Sequence, residues 1–295
     1  MQPADSPAVY AAAITPRSAR GEMDFGAAFE LIDFLGRSGV QGIALFTAAG
    51  EYAAIPASDR ARLTLLAVKR SRVPLLAGVG SATLDEAVAL GRQARDAGVV
   101  GLLVPPPYFF RYEQDDLREY YEQFAAQVEG VPLYLSSISD CATAIELETA
   151  LGLLEAGQFA GLEDECGGFE PVAAAGHTLL AGHDRWLRRA VAAGARIAVS
   201  AAACAIPELV LALARRSAAG DGAETDAIEA KIGEFLDWEE QAPRPVILKT
   251  AVAMRGLKTG PINTPLSPEK ARRLAAFREW FPVWLPAGAK RSAKA

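Results

Sequence analysis

Short apolar runs alternate with longer amphipathic ones eight times along this chain, and no other feature restricts the fold as tightly. The apolar runs lie at residues 9–15, 42–46, 74–79, 101–104, 131–135, 159–163, 178–181 and 196–200. Helical periodicity fills residues 25–37, 58–71, 84–96, 114–128, 145–156, 168–175, 184–193 and 204–216 between and after them. Parallel strands covered on both faces read as near-continuous apolar stretches, because neither face meets water. Eight βα units in one chain favour closure, so the predicted fold is α/β, a (β/α)8 TIM barrel. An eight-stranded doubly wound sheet usually carries a glycine-rich dinucleotide turn after its first strand. Ile14-Thr15-Pro16-Arg17 is not such a turn.

Start and stop signals agree with this reading. Thr83 with Glu86 has capping-box spacing ahead of a periodic helix. Gly39, Gly98, Gly157 and Gly194 each follow a helical run, where a left-handed residue is wanted. After the eighth unit, 226–240 and 245–254 read as helices, and Ser267-Pro268-Glu269 starts a third with Ser267 as N-cap. The expected organisation is a barrel over 1–218, a three-helix C-terminal extension of the same domain over 219–285, and a disordered tail over 286–295.

Composition enters mainly by exclusion. A net charge of −6 and no basic stripe argue against a nucleic-acid partner. The opening Met-Gln-Pro-Ala-Asp-Ser-Pro has no charged n-region, and Arg196, Pro207 and Glu208 interrupt the longest apolar stretches, so neither a leader nor a membrane span is expected. Cys141, Cys166 and Cys204 show neither metal-motif spacing nor a disulfide framework, which fits a cytoplasmic setting.

Several fragments, in order along the eight units, carry a resemblance. They are Ile14-Thr15-Pro16 followed by Gly21 and Asp24; Gly50-Glu51 with Ser58-Asp59-Arg60; Ala77-Gly78-Val79-Gly80 with Thr83; Pro107-Tyr108-Phe109; Leu133-Tyr134; Gly161-Leu162-Glu163-Asp164; and Gly182-His183-Asp184. Over residues 8 to 285 the chain resembles the dihydrodipicolinate synthase / N-acetylneuraminate lyase family. The resemblance implies a lyase or aldolase barrel that uses no cofactor or metal, assembles as a homodimer or homotetramer, and binds a small carboxylate or 2-oxo acid.

The departures fall on the chemistry that the resemblance implies. Its Schiff-base lysine corresponds to Glu163. The two threonines that hold the substrate carboxylate correspond to Ala48 and Ala49. The tyrosine lent across the dimer interface corresponds to Phe109. The strand-five tyrosine is matched with Tyr134, and Arg111 with an arginine near the pocket mouth. No counterpart of the synthases' further arginine stands in 136–141. A carboxylate cannot form an imine or act as its electron sink. If ionised, Glu163 would repel a substrate carboxylate about 4 Å away by about 4 kcal/mol at an effective dielectric of about 20. If held neutral by burial, it could donate a hydrogen bond or act as an acid.

The expected catalytic residues are therefore Glu163 and Tyr134. The expected substrate-binding residues are Ala48, Ala49, Gly182, Ser200 and Arg111, with backbone amides of Ala48 and Ala49 able to hold an anion. Phe109 is expected at an interface. A metal held by Glu163 and its neighbours is disfavoured, since adjacent strand residues point to opposite faces and at most Glu163 and Glu165 share a side. The cysteines lack a histidine placed to activate them. Two functions remain: a family lyase that has changed mechanism and is not a working dihydrodipicolinate synthase, or a non-catalytic metabolite-binding or structural member.

Overall fold

In a computed structural model, which describes residues 6–138, 141–220 and 222–285, eight parallel strands close into a barrel in sequence order. The strands are β1 Ala8–Ala12, β2 Gly42–Leu45, β3 Leu75–Gly78, β4 Gly101–Val104, β5 Leu133–Ser136, β6 Gly161–Asp164, β7 Thr178–Ala181 and β8 Ile197–Ser200. β8 returns to β1 with Val9 opposite Ala198 and Ala11 opposite Ser200. The helices after the strands are α1 Phe25–Arg37, α2 Ala57–Arg70, α3 Leu84–Ala97, α4 Gln114–Gln127, α5 Leu147–Glu155, α6 Glu170–Ala174, α7 Leu187–Ala192 and α8 Pro207–Ala219. The TIM barrel read from the alternation is thus the observed fold.

Most helix boundaries follow from local chemistry. The Asp24 carboxylate accepts the Ala27 N–H at 3.0 Å and starts α1. Gly39, Gly98, Gly157 and Gly194 all have positive φ, as their places after helices require. Thr83 accepts the Glu86 N–H, but Glu86 does not return the bond as a full capping box would. Its carboxylate takes the Ser81 hydroxyl at 2.6 Å, and Ser81 Oγ accepts the Thr83 N–H.

The late barrel units depart most from simple periodicity. α6 is a five-residue helix. Tight 3-10 turns at Asp184–Trp186 and Ala202–Cys204 precede α7 and α8. Pro207 at the first position of α8 sets its start later than 204. β1 likewise stops at Ala12, because Thr15 leaves the sheet and donates its hydroxyl to Gly50 O at 2.6 Å.

Three more helices follow: α9 Ala223–Glu239, α10 Val246–Met254 and α11 Pro268–Trp284, the last capped by Ser267. Phe235 and Leu236 of α9 are buried, as are Leu274, Phe277 and Phe281 of α11. Their rings pack at 5.3–6.3 Å between centroids. This anchoring brings the end of α9 and the start of α10 over the C-terminal rim of the barrel. The sequence-predicted tail, 286–295, lies outside the described residues.

One close approach shapes the rim. A Cβ on Gly78 would sit 2.1 Å from Phe46 O, so β3 passes β2 too closely for any side chain there. Phe46 itself has φ 57°, a left-handed conformation that non-glycine residues seldom adopt. The chain then turns into Thr47 and a 3-10 turn at Ala48–Gly50. Arg60, buried between the Phe46 and Tyr52 rings, donates to Gly78 O at 2.9 Å and Gly80 O at 2.7 Å and holds this corner.

Candidate functional site

Two cavities lie at the C-terminal face, the end where barrel strands present chemistry. The larger has a volume of about 320 Å³. Its inner wall carries Thr47, Ala48 and Ala49 after β2, Glu165 after β6, and Gly182, His183 and Asp184 after β7. Its outer wall comes from the C-terminal helices, chiefly Leu236, Glu239, Arg244 and Leu248. The smaller cavity, about 10 Å³, holds about one water and is lined by Thr47, Ser136 and Glu163 among apolar neighbours. Thr47 borders both.

Glu163 is 1 % exposed near the end of β6, in register with Ser136 of β5. Ser136 Oγ lies 2.5 Å from Glu163 Oε2, while Oε1 has no hydrogen-bond partner. The Thr47 hydroxyl is also buried without a partner. Burial raises the Glu163 pKa well above the usual carboxylate range, the Glu165 charge adds to the rise, and the Ser136 bond opposes it. Burial thus favours the neutral carboxylic acid over the carboxylate at Glu163. Gly182 lies directly against it, since a Cβ there would fall 2.8 Å from Glu163 Cγ. The glycine lets the chain just after β7 pass close against the Glu163 side chain and the Asp164 backbone.

The neighbouring acids hold backbone. Asp164 accepts the Gly167 N–H at 2.6 Å and the Phe169 N–H at 3.2 Å, which shapes the loop into α6. Asp184 accepts the Ser200 hydroxyl and the Ala202 N–H, the latter at 2.9 Å, and so ties β7 to β8. Burial raises the Asp184 pKa against these bonds. His183 Nδ1 accepts the Arg185 N–H at 3.1 Å, leaving the proton on Nε2, and burial lowers its pKa. Glu239 is pushed up to about 8 by burial, with the Asp184 charge adding and Arg244 opposing.

Of the sequence-predicted residues, Ala48, Ala49 and Gly182 line the larger cavity and Glu163 the smaller one. Tyr134 pairs in register with Gly161, two residues short of the Ser136–Glu163 level, and lines neither. The strand period places it nearer the barrel floor, so the hydroxyl beside Glu163 belongs to Ser136. Ser200 is buried, donating to Asp184 and accepting the Ala203 N–H. Arg111 is exposed on the loop before α4 and lines neither cavity. Phe109 is 82 % exposed at φ 88°, its ring edge-on to Phe110. Thr47, Glu239 and Arg244 carry no motif and emerge only from the folded arrangement.

No lysine lines either cavity among the described residues. Lys249 of α10 is buried nearby, but its ammonium is paired with Glu51, and burial lowers its pKa against that pairing.

Comparison with known proteins accords with this architecture. Residues 5–280 match the model of the Dihydrodipicolinate synthetase family. The chain is 29 % identical over 266 residues to a 4-hydroxy-tetrahydrodipicolinate synthase of Azoarcus sp. (strain BH72), covering 87 % of this chain and 91 % of that one. The solved 4-hydroxy-tetrahydrodipicolinate synthase of Methylacidiphilum fumariolicum SolV superposes with TM-score 0.85 at 25 % identity, over 97 % of this chain and 99 % of that one. A Ruminococcus gnavus sialic acid aldolase shares the fold at TM-score 0.83 and 18 % identity, over 95 % and 98 % of the two chains. The chain belongs to the Dihydrodipicolinate synthetase family.

Proposed function

We propose that this protein is a small-molecule lyase-type member of its family that has given up imine chemistry and relies on carboxylic acids. The observation that carries the reading is Glu163, fully buried on β6 at the place the resemblance assigns to the Schiff-base lysine, with no lysine lining either cavity among the described residues. A neutral Glu163 does not repel a substrate carboxylate. Ser136 donates to Oε2, so a proton on the unpartnered Oε1 can serve a group entering the small cavity, where Thr47 is also unpartnered. The N–H groups of Ala48 and Ala49, free of partners among the described residues, line the larger cavity and suit an anion.

A second reading, a metabolite binder without turnover, draws support from the place of Glu163, which lines the small cavity and not the larger one. The open volume of about 320 Å³ supports a ligand site over a purely structural role, since pockets for small molecules begin near this size. We expect Glu163→Lys alone not to restore synthase activity, because Ala48 and Ala49 still lack hydroxyls. Turnover of pyruvate with aspartate semialdehyde is the assay, and robust activity of that single variant would overturn the reading. Saturable thermal stabilisation by a ligand distinguishes either ligand-binding reading from a structural subunit.

A further inference from the structure

The carboxylates of the larger cavity are not equivalent. Asp184 is engaged by Ser200 and Ala202. Glu240 pairs with Arg185 at 2.7 Å. Glu165 lies 3.7 Å from Arg244. The Glu239 carboxyl makes no hydrogen bond or ion pair among the described residues, yet it lines the cavity. It is the last residue of α9, so its charge would sit at the negative end of the helix dipole. On the β2 side of the cavity stand the unbonded N–H groups of Ala48 and Ala49, while the Thr47 hydroxyl beside them is unpartnered and buried. Amide donors without acceptors thus share one cavity with an acid that makes no hydrogen bond and whose nearby cation, Arg244, also faces Glu165.

Charge decides what spans them. Four acidic side chains line the cavity, but Glu165 and Glu240 face Arg244 and Arg185 and Asp184 is engaged by Ser200 and Ala202, which leaves Glu239 as the acid a ligand cation can meet. A ligand that is only anionic suits the Ala48 and Ala49 amides and leaves Glu239 unused. We infer that the larger cavity takes a small zwitterionic amino acid, its carboxylate held by the Ala48 and Ala49 amides and its ammonium by Glu239. This rests on the reading of the cavity as a small-molecule site and narrows its substrate class from 2-oxo acids to amino acids. Binding an ammonium requires Glu239 to ionise. The groups around it are Asp184, Glu240, Glu165, His183, Arg244 and the buried Cys204. Because burial and Asp184 hold its carboxyl up to about 8, binding below that pH releases a proton.

Isothermal titration of the full chain with L-alanine, L-serine and L-valine, set against pyruvate, 3-hydroxypyruvate and 2-oxoisovalerate, tests this. The amino acids should bind at least about tenfold tighter than their oxo counterparts, a difference of about 1.4 kcal/mol. Their affinity should rise by up to about tenfold per pH unit from about pH 6 to about pH 8, with proton release visible as buffer-dependent heat. Glu239→Gln, which keeps the shape of the neutral acid, should lose both the proton release and at least about tenfold in affinity. Oxo acids binding as tightly, or amino acids binding unchanged to Glu239→Gln, would overturn the inference and leave the small-molecule reading standing. Binding of neither series would remove that reading and the inference with it.

Discussion

Glu163→Gln makes the protein progressively more stable than its parent as pH rises, a difference that grows by about 1.4 kcal/mol per pH unit while the parent carboxyl stays protonated in the fold. The sign follows from burial. In the unfolded chain Glu163 loses its proton near the ordinary value of about 4.3. In the fold it keeps the proton well above that. Its contribution to stability is therefore fully present below the unfolded value and is lost as pH rises towards the folded one. Glutamine has a similar shape, carries no charge and can still bond Ser136, so it removes this dependence. Glu239, Asp164 and Asp184 also have raised values and leave a residual slope of the same sign in both proteins. The difference between variant and parent isolates Glu163. Urea unfolding at about pH 5 and about pH 8 measures it. Parallel stability curves would mean that Glu163 is ionised in the fold, against the geometry of its unpartnered Oε1.

Asp184→Ala should cost about 3 kcal/mol. The substitution leaves the Ser200 hydroxyl and the Ala202 N–H buried without an acceptor, and each such group costs about 1–3 kcal/mol. In a protein of this size that corresponds to a fall in Tm of roughly 5–10 °C. The effect extends to the cavity, because Asp184 lines it and ties together the ends of β7 and β8. Asp184→Asn should cost less, since its amide oxygen still accepts one bond, and removal of the charge should lower the Glu239 pKa. Calorimetry of both variants is the check. A loss below about 1 kcal/mol for Asp184→Ala would show that water replaces the carboxylate and that the tie is not structural.

The barrel was legible because its signals are redundant. Eight doubly covered strands make eight apolar runs, and glycines after helices mark unit ends that the backbone confirms at Gly39, Gly98, Gly157 and Gly194. The starts of α6, α7 and α8 were less legible, because Asp164 and Asp184 impose loop geometry through long-range hydrogen bonds that no local period encodes. At the site, Ala48, Ala49, Gly182 and Glu163 could be placed by motif order. Tyr134 could not be placed at the mouth, because motif order does not fix strand height. The pairing of Ser136 with Glu163 settles that height, and the strand period from Glu163 could have suggested it. Glu239 and Arg244 were out of reach for another reason. They meet the barrel rim only after α9, α10 and α11 pack through Phe235, Phe277 and Phe281. Thr47 was adjacent to a recognised motif, and what distinguishes it is the absence of a partner for its buried hydroxyl, a property of the fold alone.

Borohydride trapping with pyruvate, read by intact mass beside an active family enzyme, decides whether this chain forms an imine. With Glu163 in the place of the lysine, no added mass is expected on this chain under conditions that label the active enzyme fully. A stoichiometric adduct would contradict it, and peptide mapping to Lys249, whose ammonium lies buried against Glu51, would identify an imine-forming lysine displaced from β6.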